Sequence, residues 1–348
     1  MMSYMFFKKF MQLINLNKYF YFLLFFSILI IINSSSWISA WMGMEMNLLM
    51  FIPLLMNNKI LSKYSNSCMI YYIIQVGASS MLLMMIMMMK MTFIFNMNLF
   101  IMMIQLSLIL KLGASPLHWW LVKIMNNLSW LNCFLILTLQ KVGPLFMLIN
   151  TNISLLIYLS MLLSGFIGSF VGINQTSLKL IMVYSSLNHL SWMFMSMMID
   201  FYIFLIYLLF YFINNFMICL FFMYFNMNYL DQVFKFNNMN YFMKFLTSMM
   251  FLSMAGVPPM FGFLPKFFVF IMMVKNLFIF ECLLFIMFTL IVLFYYMNFI
   301  LSSLLYLKLN FKLNLNNLNL NFYYIIIIMF NVFIMLMTYF LLMLYFNN

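Results

Sequence analysis

The sequence predicts an all-α, polytopic membrane protein of about eleven transmembrane helices, built as two inverted five-helix repeats, each with an interrupted fourth helix. Three observations predict it. The 348 residues are 68% hydrophobic and only 6% charged, where soluble domains carry about 25% charge. Apolar runs near the roughly 20 residues that a bilayer requires recur along the chain. Two of those runs, the fourth and the ninth, contain clusters of glycine and proline beside a lysine. No hydrophilic segment is long enough to form a separate domain, so residues 1–348 read as a single membrane domain.

In chain order the spans fall at about 19–38, 40–57, 69–90, 99–121, 131–149, 153–173, 178–198, 201–225, 245–274, 277–306 and 322–346. The connections are short and rich in Asn, Lys and Ser, as at Asn57-Asn58-Lys59 and Asn237-Asn238. The longest polar connection, Lys308 to Asn321, alternates Leu with Asn and reads as low complexity. Repeat one covers about 19–149, repeat two about 153–306, and the last helix about 322–346.

The fourth span reads Lys111-Leu-Gly-Ala-Ser-Pro116-Leu-His118-Trp-Trp120, and the ninth reads Ala255-Gly-Val-Pro258-Pro259-Met-Phe-Gly262-Phe-Leu-Pro265-Lys266. Proline removes a helical hydrogen bond and clashes with the preceding turn. Within lipid the freed carbonyls need partners inside the protein, so both spans are expected to be broken at Pro116 and at Pro258-Pro259. Each break falls in the fourth helix of its repeat. Interruptions at matching positions in two halves point to a transporter with its site near the midplane.

Charge inside an apolar span is costly and marks ion pathways and proton relays. Glu45 is the only acid in the first half of the chain and lies within the second span. Lys111, Lys141 and Lys266 lie in the fourth, fifth and ninth. Desolvation favours the neutral form of a buried charge, and an opposite charge favours the ionised form, so such groups can exchange protons when a neighbour moves. A bland role stays open for each: interfacial anchoring for Glu45, and snorkelling to the headgroups for the lysines. Gly143 and Pro144 are expected to loosen the helix around Lys141. His118 follows the first break, and His189 sits in Tyr184-Ser-Ser-Leu-Asn-His189. Each is either a relay member or a packed polar residue.

Several classes are excluded. Two isolated histidines do not supply paired haem ligands, and no phosphate loop, dinucleotide fingerprint, nucleophile elbow or zinc motif occurs. The four cysteines, Cys68, Cys133, Cys219 and Cys282, are far apart and read as buried apolar side chains. The net charge of +12 is scattered, without the basic stripe that grips nucleic acid. All sixteen basic residues are lysine, and 45 methionines accompany abundant Phe, Ile and Asn. That is the expected output of an AT-rich organellar gene that reads an extra codon as Met.

Six segments together carry a resemblance: Ser36-Trp37 to Asn47 with Glu45 inside it; Gly113-Ala-Ser-Pro116-Leu-His118-Trp-Trp120; Leu128-Ser-Trp130 with Gln140-Lys141-Val-Gly-Pro144; Gly172-Ile-Asn174-Gln175-Thr-Ser177; Tyr184 to His189; and Gly256 to Lys266. In this order, over nearly the whole chain, they resemble the subunit-2 family of mitochondrial NADH:ubiquinone oxidoreductase, respiratory complex I. Ser115 departs from the alanine of many members. The resemblance implies an antiporter-like subunit of the inner-membrane arm. It implies that Glu45 and Lys111 form the acid–lysine pair of the first half-channel, that Lys141 is the connecting lysine, and that Lys266 is the lysine of the second broken helix. It also implies that NADH, FMN, iron–sulfur clusters and ubiquinone are used by partner subunits, with no cofactor or metal held by this chain. The implied partners are the other membrane-arm subunits, including the other antiporter-like ones, and inner-membrane lipids. The alternative is a free-standing secondary cation/proton antiporter. The oxidase core and the ATP-synthase channel are disfavoured for want of several histidines and of any arginine.

Overall fold

The computed structural model describes residues 18–56, 61–91, 97–151, 155–230, 232, 241–258 and 260–309. The predicted last span, 322–346, and Pro259 lie outside these residues. Among those described, the chain is helical without strands, and its one antiparallel bridge joins Ser177 to Tyr229. We number the helices α1 (Lys18–Ile32), α2 (Trp37–Met56), α3 (Leu61–Met91), α4 (Met97–Leu112), α5 (Trp119–Met125), α6 (Trp130–Leu137), α7 (Leu139–Ile149), α8 (Leu155–Phe170), α9 (Leu178–Ile199), α10 (Phe201–Tyr224), α11 (Tyr241–Ala255), α12 (Phe263–Lys275) and α13 (Ile279–Leu309). Six segments among the described residues are long and apolar enough to cross a membrane: 37–56, 65–91, 130–149, 155–174, 201–224 and 279–301. Large apolar side chains such as Phe22, Ile73, Leu99, Tyr202, Leu209 and Met287 are exposed. In a membrane protein the outward surface meets lipid, so this exposure costs nothing.

The fourth and ninth predicted spans are broken as expected, α4 from α5 and α11 from α12. The boundary between the first two spans moves. α1 ends at Ile32 and α2 starts at Trp37, where Ser36 and Ser39 cap reciprocally. The Ser39 amide donates to Ser36 Oγ at 3.2 Å, and the Ser36 amide donates to Ser39 Oγ at 3.3 Å, which satisfies donors that a helix start leaves open.

The loosening expected around Lys141 lies on its N-terminal side. α7 runs through Gly143 and Pro144, and the helix opens at Thr138, with φ −117° and ψ −81°. The Thr138 hydroxyl donates back to the Phe134 carbonyl at 2.6 Å, a bond that competes with the helical ladder and bends it. Pro144 adds strain one turn upstream, because it cannot donate to the carbonyl of Gln140.

The chain divides within α8 into two compact units, Met1–Ser160 and Met161–Asn348. In the first, α3 packs against α2, α4 and α5, while α7 packs against α2, α4 and α6. Gly43 and Gly143 let α2 and α7 close on Ile31, whose side chain would sit 2.6 and 2.8 Å from a Cβ at those positions. In the second, α9 and α10 pack on each other and both pack against α12, and α13 packs against α11 and α12.

Candidate functional site

In the first unit the site is built at the end of α4. A helix leaves its last four carbonyls without helical partners, and in lipid they must be satisfied internally. Gly113, at φ +66°, turns the chain out of α4. Its amide donates to Leu110 O at 3.1 Å, and the Ala114 amide donates to Ile109 O at 3.2 Å, the paired bonds of a Schellman stop. Trp120 Nε1 donates to Leu110 O at 3.0 Å, and Gln75 Nε2 donates to Lys111 O at 3.2 Å. The break is therefore tied to α5 by an indole and to α3 by an amide.

Lys111 lies in the last turn of α4 and is 6% exposed. A cation is favoured at a helix C-terminus. Its Nζ lies 3.9 Å from Met44 Sδ on α2. Glu45, the next residue, is half-buried, and its Oε1 has no hydrogen-bond partner. Lys111 thus reaches the residue beside Glu45, and among the described residues no contact ion pair joins the two. Lys141 is 3% exposed, in the first turn of α7, three residues past the Thr138 opening. His118 is half-buried at the start of α5. Pro116 is exposed in the turn between the half-helices.

In the second unit the break also turns at a left-handed glycine, with a different bond pattern: an αL-type stop in which one carbonyl takes both amides. Gly256, at φ +78°, follows α11, and both its amide and that of Val257 donate to Leu252 O, at 3.0 and 3.3 Å. Lys266, in the first turn of α12 and 5% exposed, reaches back so that its Nζ donates to Ala255 O at 3.0 Å. A β-carbon on Gly256 would lie 2.9 Å from that Nζ. Gly262 packs against the Ser253 carbonyl, and Pro265 occupies the first turn of α12, where a missing N–H is harmless. Pro258 is exposed in the turn. His189 is 4% exposed on α9, its Nδ1 2.8 Å from the Tyr207 hydroxyl and its ring 5.3 Å from that of Tyr211.

Two features thus recur: a glycine in the left-handed region ends a helix at each break, and a buried lysine lies beside it, Lys266 donating to the helix-end carbonyl and Lys111 turned to Met44. The family model described as NADH:quinone oxidoreductase/Mrp antiporter, TM, matches residues 34–293. The chain belongs to the NADH:quinone oxidoreductase/Mrp antiporter family. Among relatives in this family, chain 2 of NADH-ubiquinone oxidoreductase from Aedes aegypti is 38% identical, over 81% of this chain and 84% of its own length. Its counterpart from Anopheles gambiae is 36% identical, over 72% and 74%. A chain of respiratory complex I from Thermus thermophilus superposes with a TM-score of 0.71 at 15% identity, over 80% of this chain and 68% of that one. The shared fold of the antiporter family therefore extends over most of this chain.

Sequence reasoning gave no role to Tyr71, Gln75, Gln140 or Asn47, although Asn47 and Gln140 fall within segments that carry the resemblance. The Tyr71 hydroxyl donates to Gln140 Oε1 at 3.1 Å, and Gln140 Nε2 donates to Asn47 Oδ1 at 3.0 Å. The available signal was weak: amide side chains within apolar spans, one beside each charged residue of α2 and α7.

Proposed function

We infer that this chain is a proton-translocating subunit of the membrane arm of NADH-ubiquinone oxidoreductase in the mitochondrial inner membrane, encoded by the mitochondrial genome. It couples electron transfer in other subunits to proton movement. Identity of 36–38% to two chain-2 proteins over most of both lengths supports that membership. Partner subunits would hold NADH, FMN, the iron–sulfur clusters and ubiquinone, and the other antiporter-like subunits would be neighbours in the membrane.

One observation carries the relay reading: Lys111, Lys141 and Lys266 are 6, 3 and 5% exposed and each stands at an interruption of a helix. Snorkelling would leave an ammonium near the surface, and these are enclosed. Glu45 sets the charge that Lys111 experiences, and a redox-driven shift elsewhere that moves Glu45 changes how firmly Lys111 holds its proton. The proton then passes by way of Lys141 towards Lys266, with His118 and His189 as further hydrogen-bonding stations. The two repeats, about 19–149 and 153–306, would each contribute one broken helix, at Pro116 and at Pro258-Pro259.

Native-gel separation of mild-detergent mitochondrial membranes, stained for NADH dehydrogenase activity and followed by peptide mass spectrometry, tests membership. Comigration with the active band is expected. Migration alone, with sodium- or potassium-dependent transport, would establish a free-standing antiporter instead.

A further inference from the structure

Tyr71, Gln140 and Asn47 form a chain of side-chain hydrogen bonds across three helices. Tyr71 belongs to α3, is 2% exposed, and is held by the ring of Phe51 at 5.2 Å and of Trp120 at 6.2 Å. Gln75, one turn along the same face of α3, takes the Lys111 carbonyl. Asn47 belongs to α2, is 4% exposed, and lies two residues beyond Glu45. Gln140 belongs to α7 and immediately precedes Lys141. Its amide uses both ends, accepting from Tyr71 and donating to Asn47. Only a primary amide supplies an acceptor and a donor in fixed geometry at this length.

The place of Gln140 in the backbone sharpens the point. It sits two residues past the opening at Thr138, and Pro144 deprives its carbonyl of a helical donor. The backbone at Gln140 is therefore weakly determined by its own helix, and the side chain fixes it against α2 and α3. Gln140 itself is half-buried between two buried partners, and hydrogen-bonded side-chain networks in a low dielectric rigidify the elements they join.

We propose that Gln140 is a positioning residue: its amide locks α2, α3 and α7 together and so sets where Lys141 stands relative to Glu45 and Lys111. This rests on the relay reading above. Proton transfer between fixed groups is steep in geometry, and a shift of about 1 Å can cost as much as ~100-fold. Loss of the bridge therefore loosens the coupling of pumping to electron transfer before it affects electron transfer itself.

The test compares the assembled complex carrying Gln140→Leu, Gln140→Glu, Tyr71→Phe or Lys111→Met. The readouts are NADH-driven electron transfer with an uncoupler present and protons moved per electron in sealed membranes. Gln140→Leu and Tyr71→Phe are expected to keep uncoupled electron transfer and to lower the proton-to-electron ratio by about twofold or more. Gln140→Glu keeps an acceptor for Tyr71 but regains a donor for Asn47 only when protonated. Its ratio should recover as pH falls, a change that a purely packing role would not produce. Tyr71→Phe keeps the ring packing and decides the matter if Gln140→Leu does not assemble. An unchanged ratio in the assembled Gln140→Leu or Tyr71→Phe complex overturns the proposal. If Lys111→Met lowers the ratio in the same experiment, the positioning role alone has failed. If it does not, the relay reading has failed with it.

Discussion

At the scale of single residues, the three buried lysines differ in what holds them. Lys266 donates to the Ala255 carbonyl and so completes the end of α11. Lys111 neighbours the Met44 sulfur, beside Glu45. This difference yields a sharp prediction for Lys266→Arg. Arginine keeps the donor to Ala255 but does not release a proton in proteins. Assembly should survive while proton pumping falls, by roughly tenfold or about 1.4 kcal/mol in the limiting barrier. Full pumping with arginine would show that position 266 never deprotonates in the cycle. Gln75→Leu tests a structural role. It leaves the Lys111 carbonyl buried without a donor, which costs about 1–3 kcal/mol, and it should lower the thermal midpoint of the assembled complex. Glu45, Lys111, Lys141 and Lys266 were legible as sequence because a charge in an apolar run stands out. Tyr71, Gln140 and Asn47 were not, because tyrosine and amides within apolar runs are common and their pairing depends on which helices meet.

At the scale of elements, the two breaks were legible from the clustering of glycine with proline, and their mechanism resides in the glycines. Gly113 and Gly256 adopt positive φ, which costs an ordinary residue roughly 1–2 kcal/mol. Loosening around Lys141 was legible from Gly143 and Pro144, but its position at Thr138 was not, since it depends on a hydroxyl bond back to Phe134. Glycine substitutions separate these roles. Gly262→Ala drives a β-carbon into the Ser253 carbonyl, backbone against backbone. It should destabilise the α11–α12 break by roughly 3 kcal/mol and reduce the amount of assembled complex on native gels. Gly77 lies within α3 with nothing within 4 Å of the position of its added β-carbon. Gly77→Ala should leave assembly intact or raise the thermal midpoint, because alanine favours a helix by about 1 kcal/mol over glycine. Equal losses in the two variants would refute this reading of the packing.

At the scale of the whole molecule, the all-α membrane character followed from composition, since only helices or closed barrels satisfy the backbone in lipid. Helices α1 to α13 follow the apolar runs between about 19 and 306, six of the described segments being long enough to cross a membrane, with ends shifted by local capping such as that of Ser36 and Ser39. The candidate site was partly legible: the lysines and the acid could be read, and the hydrogen-bonded frame proposed to orient them could not. The four cysteines are buried and need no part in the chemistry. The central claim, that buried lysine in this chain moves protons driven by redox energy released elsewhere, is tested most directly by one comparison. Protons moved per electron would be measured in sealed membranes containing assembled complex with Lys111 or with Lys111→Met, alongside uncoupled NADH oxidation. The account predicts a lower ratio in the variant, with NADH oxidation retained when the membrane is made leaky. An unchanged ratio in a fully assembled variant would contradict it.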